Sequence, residues 1–160
     1  MKDILFKTED WVFSYRVAGV CIENGKVLLQ KPRNDTGYAF PGGHVSFGES
    51  NEQTLIREFR EEIGADISVG PLMWVGELFF PWGDKPCQQI CLFYSVELQG
   101  DSIPRDGVFT AVEKPKDPAS TLEFFWVEKE KLSDMEVYPV EAPACLTDGK
   151  PGVRHFVYHE

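Results

Sequence analysis

The chain has 160 residues, of which 42% are hydrophobic and 13% aromatic, enough for one domain with a substantial core. Its formal charge of -10 argues against an extended nucleic-acid partner, because contacts to many phosphates need a basic surface. No run approaches the 18 apolar residues of a membrane helix, and the opening MKDILFKTED carries acids where a secretory signal would be apolar, so a cytoplasmic protein without membrane contact is expected.

In chain order, Tyr15 to Glu23 is an apolar strand, Asn24-Gly25 signals a type I′ hairpin, and Lys26 to Gln30 is the returning strand. Phe40-Pro41-Gly42-Gly43 follows as a loop suited to close backbone approach. Asn51 to Ile63 contains no Gly or Pro and predicts a helix, with Ser50 as N-cap, Gln53 completing a capping box and Gly64 as the stop. Ile67 to Phe80 and Gln88 to Leu98 predict two strands joined around Trp82-Gly83-Asp84. Gly100 to Ser120, with three prolines, is a long loop of the kind that closes or lines a site. Glu123 to Val127 predicts a short strand, Glu128 to Asp134 and Val140 to Leu146 short helices, and Val153 to Tyr158 an extended segment. Strands flanked by a few helices imply an α/β protein with a mixed sheet, in one domain over residues 1–160. Cys21, Cys87, Cys91 and Cys145 have no metal-site spacing and predict reduced thiols.

The chemistry concentrates between Gly43 and Ala65, GHVSFGESNEQTLIREFREEIGA. On a helical wheel Leu55, Ile56, Phe59 and Ile63 share one apolar arc, while Glu58, Glu61 and Glu62 share another. Like charges at this spacing repel, so helix stability does not account for them, and a hard divalent cation would relieve the repulsion. Glycine, five residues, Glu49, seven residues, then Arg57-Glu58 through Glu61-Glu62 and Gly64 resembles the Nudix hydrolase signature, G-x5-E-x7-R-E-U-x-E-E-x-G-U with U aliphatic. Ala65 is smaller than the usual last residue and touches packing only.

The resemblance implies a Nudix-type α/β/α sandwich with a mixed β-sheet and hydrolysis of a phosphoanhydride in a nucleoside diphosphate linked to another group X. By position, Glu58, Glu61 and Glu62 would ligate Mg2+, or Mn2+ in its place, with the Gly42 carbonyl and with Glu49 as an auxiliary contact. Arg57 would orient the carboxylates, and Glu61 and Glu62 would serve catalysis. A proton acceptor could be a helix carboxylate or a later acid among Glu113, Asp117 and Glu123; Glu123 is preferred because it enters the strand beside Trp126. Arg33 is a candidate phosphate contact, and Phe40 and Trp82 are candidate base-stacking residues, with Tyr38 and Phe80 as further aromatics. Pro81 tilts the expected substrate towards ADP-ribose or a nucleotide sugar. The alternatives are a housecleaning nucleoside triphosphate pyrophosphohydrolase and a nucleotide-sensing module without turnover. Many Nudix proteins pair as homodimers, and this option stays open here.

Overall fold

A computed structural model describes residues 1–110 and 121–160. Glu113 and Asp117, with much of the expected long loop, lie outside the described residues. The strands are β1 (Leu5–Lys7), β2 (Val12–Glu23), β3 (Lys26–Pro32), β4 (Tyr38–Ala39), β5 (Gly42–His44), β6 (Asp66–Trp82), β7 (Lys85–Gln99), β8 (Val108–Thr110), β9 (Leu122–Glu128), β10 (Val137–Tyr138) and β11 (Arg154–His159). Helix α1 (Asn51–Glu58) runs into a π turn over Phe59–Ile63, a 3-10 turn covers Lys129–Asp134, and α2 is Ala142–Thr147. No described helix is long and apolar enough to cross a membrane.

The β2–β3 turn takes the form its residues dictate. Asn24 and Gly25 both adopt left-handed φ, 52° and 75°, and Glu23 faces Lys26 across a two-residue loop. Between β6 and β7, the longest hairpin, Gly83 alone takes a left-handed φ, 65°. The ladder order is β10-β4-β3-β2-β7-β6-β11, with β2–β7 parallel and β6–β7 antiparallel, so the sheet is mixed.

Strand alternation divides the core in two. Val17, Cys21 and Leu28 face α1 and pack with Leu55, Phe59 and Ile63, all essentially inaccessible to water. Ala18, Val20, Val27 and Leu29 face the other way, against Leu132 of the 3-10 turn and Ala142 of α2. The result is the expected α/β/α layering. It is an open sheet, and its halves separate: β2 pairs with β3 only at Ile22 and Glu23, while its Arg16–Ala18 segment pairs with β5. A cleft of about 550 Å³ opens where the halves diverge, with Arg16, Gln30, Phe40, Phe80, Trp82 and Gln89 among its walls.

Three expectations need correction. The helix does not stay α-helical to Ile63: the Gly64 and Ala65 N–H groups both return to the Phe59 carbonyl, with Gly64 at φ 77°, and this widens the last turn. Phe40–Gly43 is no free loop, since Gly42 and Gly43 are laddered to Ala18 and Val17. Within the long loop, Val108–Thr110 forms β8 against β9. The four cysteines are free thiols.

Candidate active site

Helix α1 begins as its sequence dictates. The Ser50 hydroxyl accepts from the Gln53 N–H at 3.2 Å, and the Gln53 side chain accepts from the Ser50 N–H at 2.8 Å. With Leu55, Phe59 and Ile63 locked into the core, the opposite side of the helix lies against β5. A Cβ at Gly43 would stand 2.3 Å from the carboxyl carbon of Glu58, and one at Gly42 would stand 2.0 Å from the Val17 carbonyl oxygen. Gly43 therefore lets the Glu58 carboxylate lie directly on the backbone of β5, and Gly42 lets β5 close onto β2.

Arg57 gathers the acids around it. Its Nε and Nη2 donate to both oxygens of Glu49 at 2.9 and 3.0 Å, and its Nη1 donates to Glu58 at 2.7 Å and to Glu61 at 3.4 Å. Thr54 adds a hydroxyl donor to Glu49 at 2.9 Å. The Arg57 hydrogen bonds hold the Glu49 carboxyl below its ordinary value, while the two glutamates keep the guanidinium firmly charged. Glu58 behaves differently: burial pushes its carboxyl up despite the bond to Arg57.

Glu62 is the most perturbed acid of the group. Burial, then the charge of Glu58, raises it to about 7. Among the described residues it forms no hydrogen bond or ion pair, and the only moderating influences are the nearby charges of Arg16 and Arg57. Glu61 is 56% exposed and turned to Arg57. The three helix acids thus take three settings: bonded and part-buried, unbonded and part-buried, and exposed.

Arg16 escaped the sequence reading. It stands on β2 opposite His44, its Nη2 reaches the Gly42 carbonyl at 3.4 Å, and it joins the carboxylates to the cleft wall. The available signal was a single cation inside an apolar strand, on the same face as Ala18. His44 is half-buried, and burial lowers its titration. Ser14 gives its hydroxyl hydrogen to the Gln89 Oε1 at 3.0 Å, so the His44 Nε2–H donates to Ser14 at 3.1 Å.

The remaining candidates scatter. Glu123 sits on β9 and pairs with Arg33 at 3.6 Å; no hydrogen bond or ion pair links it to the α1 acids. Arg33 is largely exposed and lies outside the cleft lining. Phe40 is 3% exposed, set edge-on to Trp74 and Phe93, so it forms cleft floor and leaves little face for stacking. Trp82 lines the cleft beside Phe80 and 6.1 Å from the His44 ring. Pro81 is exposed, between Phe80 and Trp82 on the opposite face of β6, and does not line the cleft.

Among the described residues, no three His, Cys, Asp or Glu side chains already converge as an ion-sized cage. Arg57 explains this by drawing Glu49, Glu58 and Glu61 to itself. The donor chemistry still suits a hard cation: part-buried carboxylates, with Glu62 unbonded among the described residues, beside a backbone carbonyl. Sites of this kind, where burial and like charge raise carboxyls together, are where catalytic chemistry concentrates.

The chain matches the NUDIX domain model over residues 14–145. An RNA pyrophosphohydrolase of Acinetobacter baylyi is 48% identical over 42 residues, which are 26% of this chain; the match spans only 25% of that relative's length. A Bacillus subtilis protein named as a candidate 8-oxo-dGTP diphosphatase is 28% identical over 116 residues, 71% of this chain and 72% of that one. The crystal structure of a MutT protein from Bacillus halodurans superposes with a TM-score of 0.61 at 18% identity, covering 91% of this chain and 89% of that one. With a family match over most of its length, laid on the α1 acids, this chain belongs to the Nudix hydrolase family.

Proposed function

We propose that the protein is a Mg2+-dependent nucleotide pyrophosphohydrolase, with Mn2+ able to substitute, that cleaves a phosphoanhydride in a nucleoside diphosphate linked to X. The observation that carries this is the part-buried Glu58–Glu62 pair, whose second member has no partner among the described residues. Glu58, Glu61 and Glu62 with the Gly42 carbonyl would hold the cation. When bound, such an ion neutralises bridging phosphate charge and makes a water nucleophilic at neutral pH.

The protein's own groups divide the remaining work. Arg57 orients Glu58 and Glu61; Glu49, with both oxygens engaged by Arg57 and Thr54, acts by positioning that arginine. Arg16 meets phosphate where the cleft joins the helix acids. Exposed Glu61 accepts the proton of the attacking water. Glu123 is the second choice for that role, since its carboxylate is engaged by Arg33 and bonded to no helix acid.

For X, the Bacillus subtilis relative supports phosphate, which makes the substrate a nucleoside triphosphate and the products a monophosphate and pyrophosphate. ADP-ribose or a nucleotide sugar is the second reading; Pro81, its one sequence cue, faces away from the cleft. A nucleotide panel with Mg2+ or Mn2+, with products resolved by chromatography, tests both. Turnover is expected for at least one nucleotide, to be abolished by EDTA and to fall by orders of magnitude in Glu61→Gln and Glu62→Gln. Unchanged rates in both variants would refute these roles, and binding without turnover across the panel would mark a sensing module.

A further inference from the structure

Gln30 is buried at 9% exposure in the cleft wall, and its Oε1 is shielded from water with no hydrogen-bond partner among the described residues. Its neighbours do not explain the choice. Val27, Leu28 and Leu29 precede it on β3, all wholly buried and apolar, and an apolar side chain would continue the run without loss. A buried amide left unbonded is a cost to folding, so its presence asks for a partner that arrives later.

Gln89 lines the same cleft at 7% exposure, from the parallel neighbour of β2. Its amide oxygen is occupied by the Ser14 hydroxyl, itself backed by the His44 ring. The bond fixes the amide plane and leaves the Nε2 hydrogens as the group Gln89 can offer a ligand. One wall thus holds an unmet amide oxygen and the other a donor of fixed orientation, with the flat apolar surfaces of Phe80 and Trp82 on the cleft edge.

Resting on the nucleotide substrate proposed above, we infer that Gln30 and Gln89 read the edge of the nucleobase, and so set which nucleotide is preferred. The complementary ligand is a planar heterocycle that carries a hydrogen-bond donor beside an acceptor on one edge, as nucleobases do; an amide matches such an edge with two bonds. Trp82 and Phe80 supply the stacking contact to its face. The phosphates extend from the base towards Arg16 and the α1 acids, so base selection and bond cleavage are handled by separate groups.

The test is Gln30→Met, close in volume and without the amide, alongside Gln89→Met. The four common ribonucleoside triphosphates and their monophosphates would be compared for KM, kcat and binding, with thermal stability measured in parallel. For the preferred base, Gln30→Met should weaken binding roughly ten- to hundredfold, with kcat largely kept and discrimination among bases narrowed. Its melting temperature should hold or rise, because an unsatisfied buried amide has been removed. A glutamine kept only for packing would give a lower melting temperature with base preference intact, and that result overturns the inference. So does an equal loss for all four nucleotides. A wild-type protein that binds nucleotides with base preference but hydrolyses none would sink the catalytic proposal and leave this one standing.

Discussion

Replacing Glu62 by glutamine should make the metal-free protein more stable while disabling it. The carboxyl rises from its ordinary 4.5 to about 7 because burial and the neighbouring Glu58 penalise its charge. The sign follows from linkage: the folded state binds this proton more tightly than the unfolded chain, so stability is full below pH 4.5 and is lost as pH rises towards 7. The interval corresponds to a penalty of about 3 kcal/mol at pH 8 and about 1 kcal/mol at pH 5.5, as upper values because Glu62 keeps some contact with water. The neutral amide that replaces the acid carries no such penalty. In EDTA at pH 8 the variant should therefore melt higher, by up to roughly 6–12 °C for a chain of this size, and the gap should narrow by about 2 kcal/mol at pH 5.5. Saturating Mg2+ or Mn2+ should reverse the order, stabilising the wild type and much less the variant. Thermal denaturation by circular dichroism in EDTA and in metal, at both pH values, reads all four conditions. A variant no more stable than wild type at pH 8 in EDTA, or a gain equal at both pH values, would refute the assignment of Glu62 as an unpaired, part-buried acid.

Arg57→Ala removes the cation shared by Glu49, Glu58 and Glu61, and should cost about 3 kcal/mol by denaturant titration as well as activity; Arg57→Lys keeps the charge but not the paired donors to Glu49 and should recover only part of either. Gly43→Ala places a Cβ 2.3 Å from the Glu58 carboxyl carbon, so kcat should fall by roughly a hundredfold or more in a protein whose circular dichroism spectrum is unchanged. Cys21 and Cys91, pushed by burial to about 12, should resist a thiol reagent at pH 8 in the native state, as should Cys87, with Cys145 alone reacting slowly and all four on unfolding. Rapid native labelling of two or more thiols would contradict this packing.

What could be read before the structure was local. The Ser50–Gln53 cap, the Asn24-Gly25 turn and the apolar arc of α1 depend on residues a few positions apart, and each stands where its chemistry placed it. The site was legible to the extent that it lies on one helix. Arg16 was missed because its meaning comes from β2 pairing with β5, a relation between residues 16 and 44 that no local spacing encodes. The same holds for Gln30 and Gln89, ordinary polar residues until two strands bring them to one cleft. Phe40 shows the same dependence on the fold: an aromatic near a motif invites a stacking role, and its ring lines the cleft set edge-on to Trp74 and Phe93.

The π turn explains why consecutive acids have opposite fates. In a continuous α-helix at 100° per residue, Glu61 would stand about 60° to one side of Glu58 and Glu62 about 40° to the other, and both would crowd it. A turn closed by i→i+5 bonds advances by only about 82° per residue. Over Phe59–Ile63 that carries Glu61 to roughly 115° from Glu58 while Glu62 stays within about 40°. The exposures agree: the Glu61 side chain is 56% open to solvent, whereas Glu62 is buried enough for its carboxyl to rise to about 7. Glu62 thus stays near enough to Glu58 to feel its charge, and Glu61 swings into the open where Arg57 can still hold it at 3.4 Å. An ordinary helix end would have set Glu61 and Glu62 close on either side of Glu58. The widened turn, closed on Phe59 through the left-handed Gly64, thus sets Glu61 and Glu62 in different surroundings.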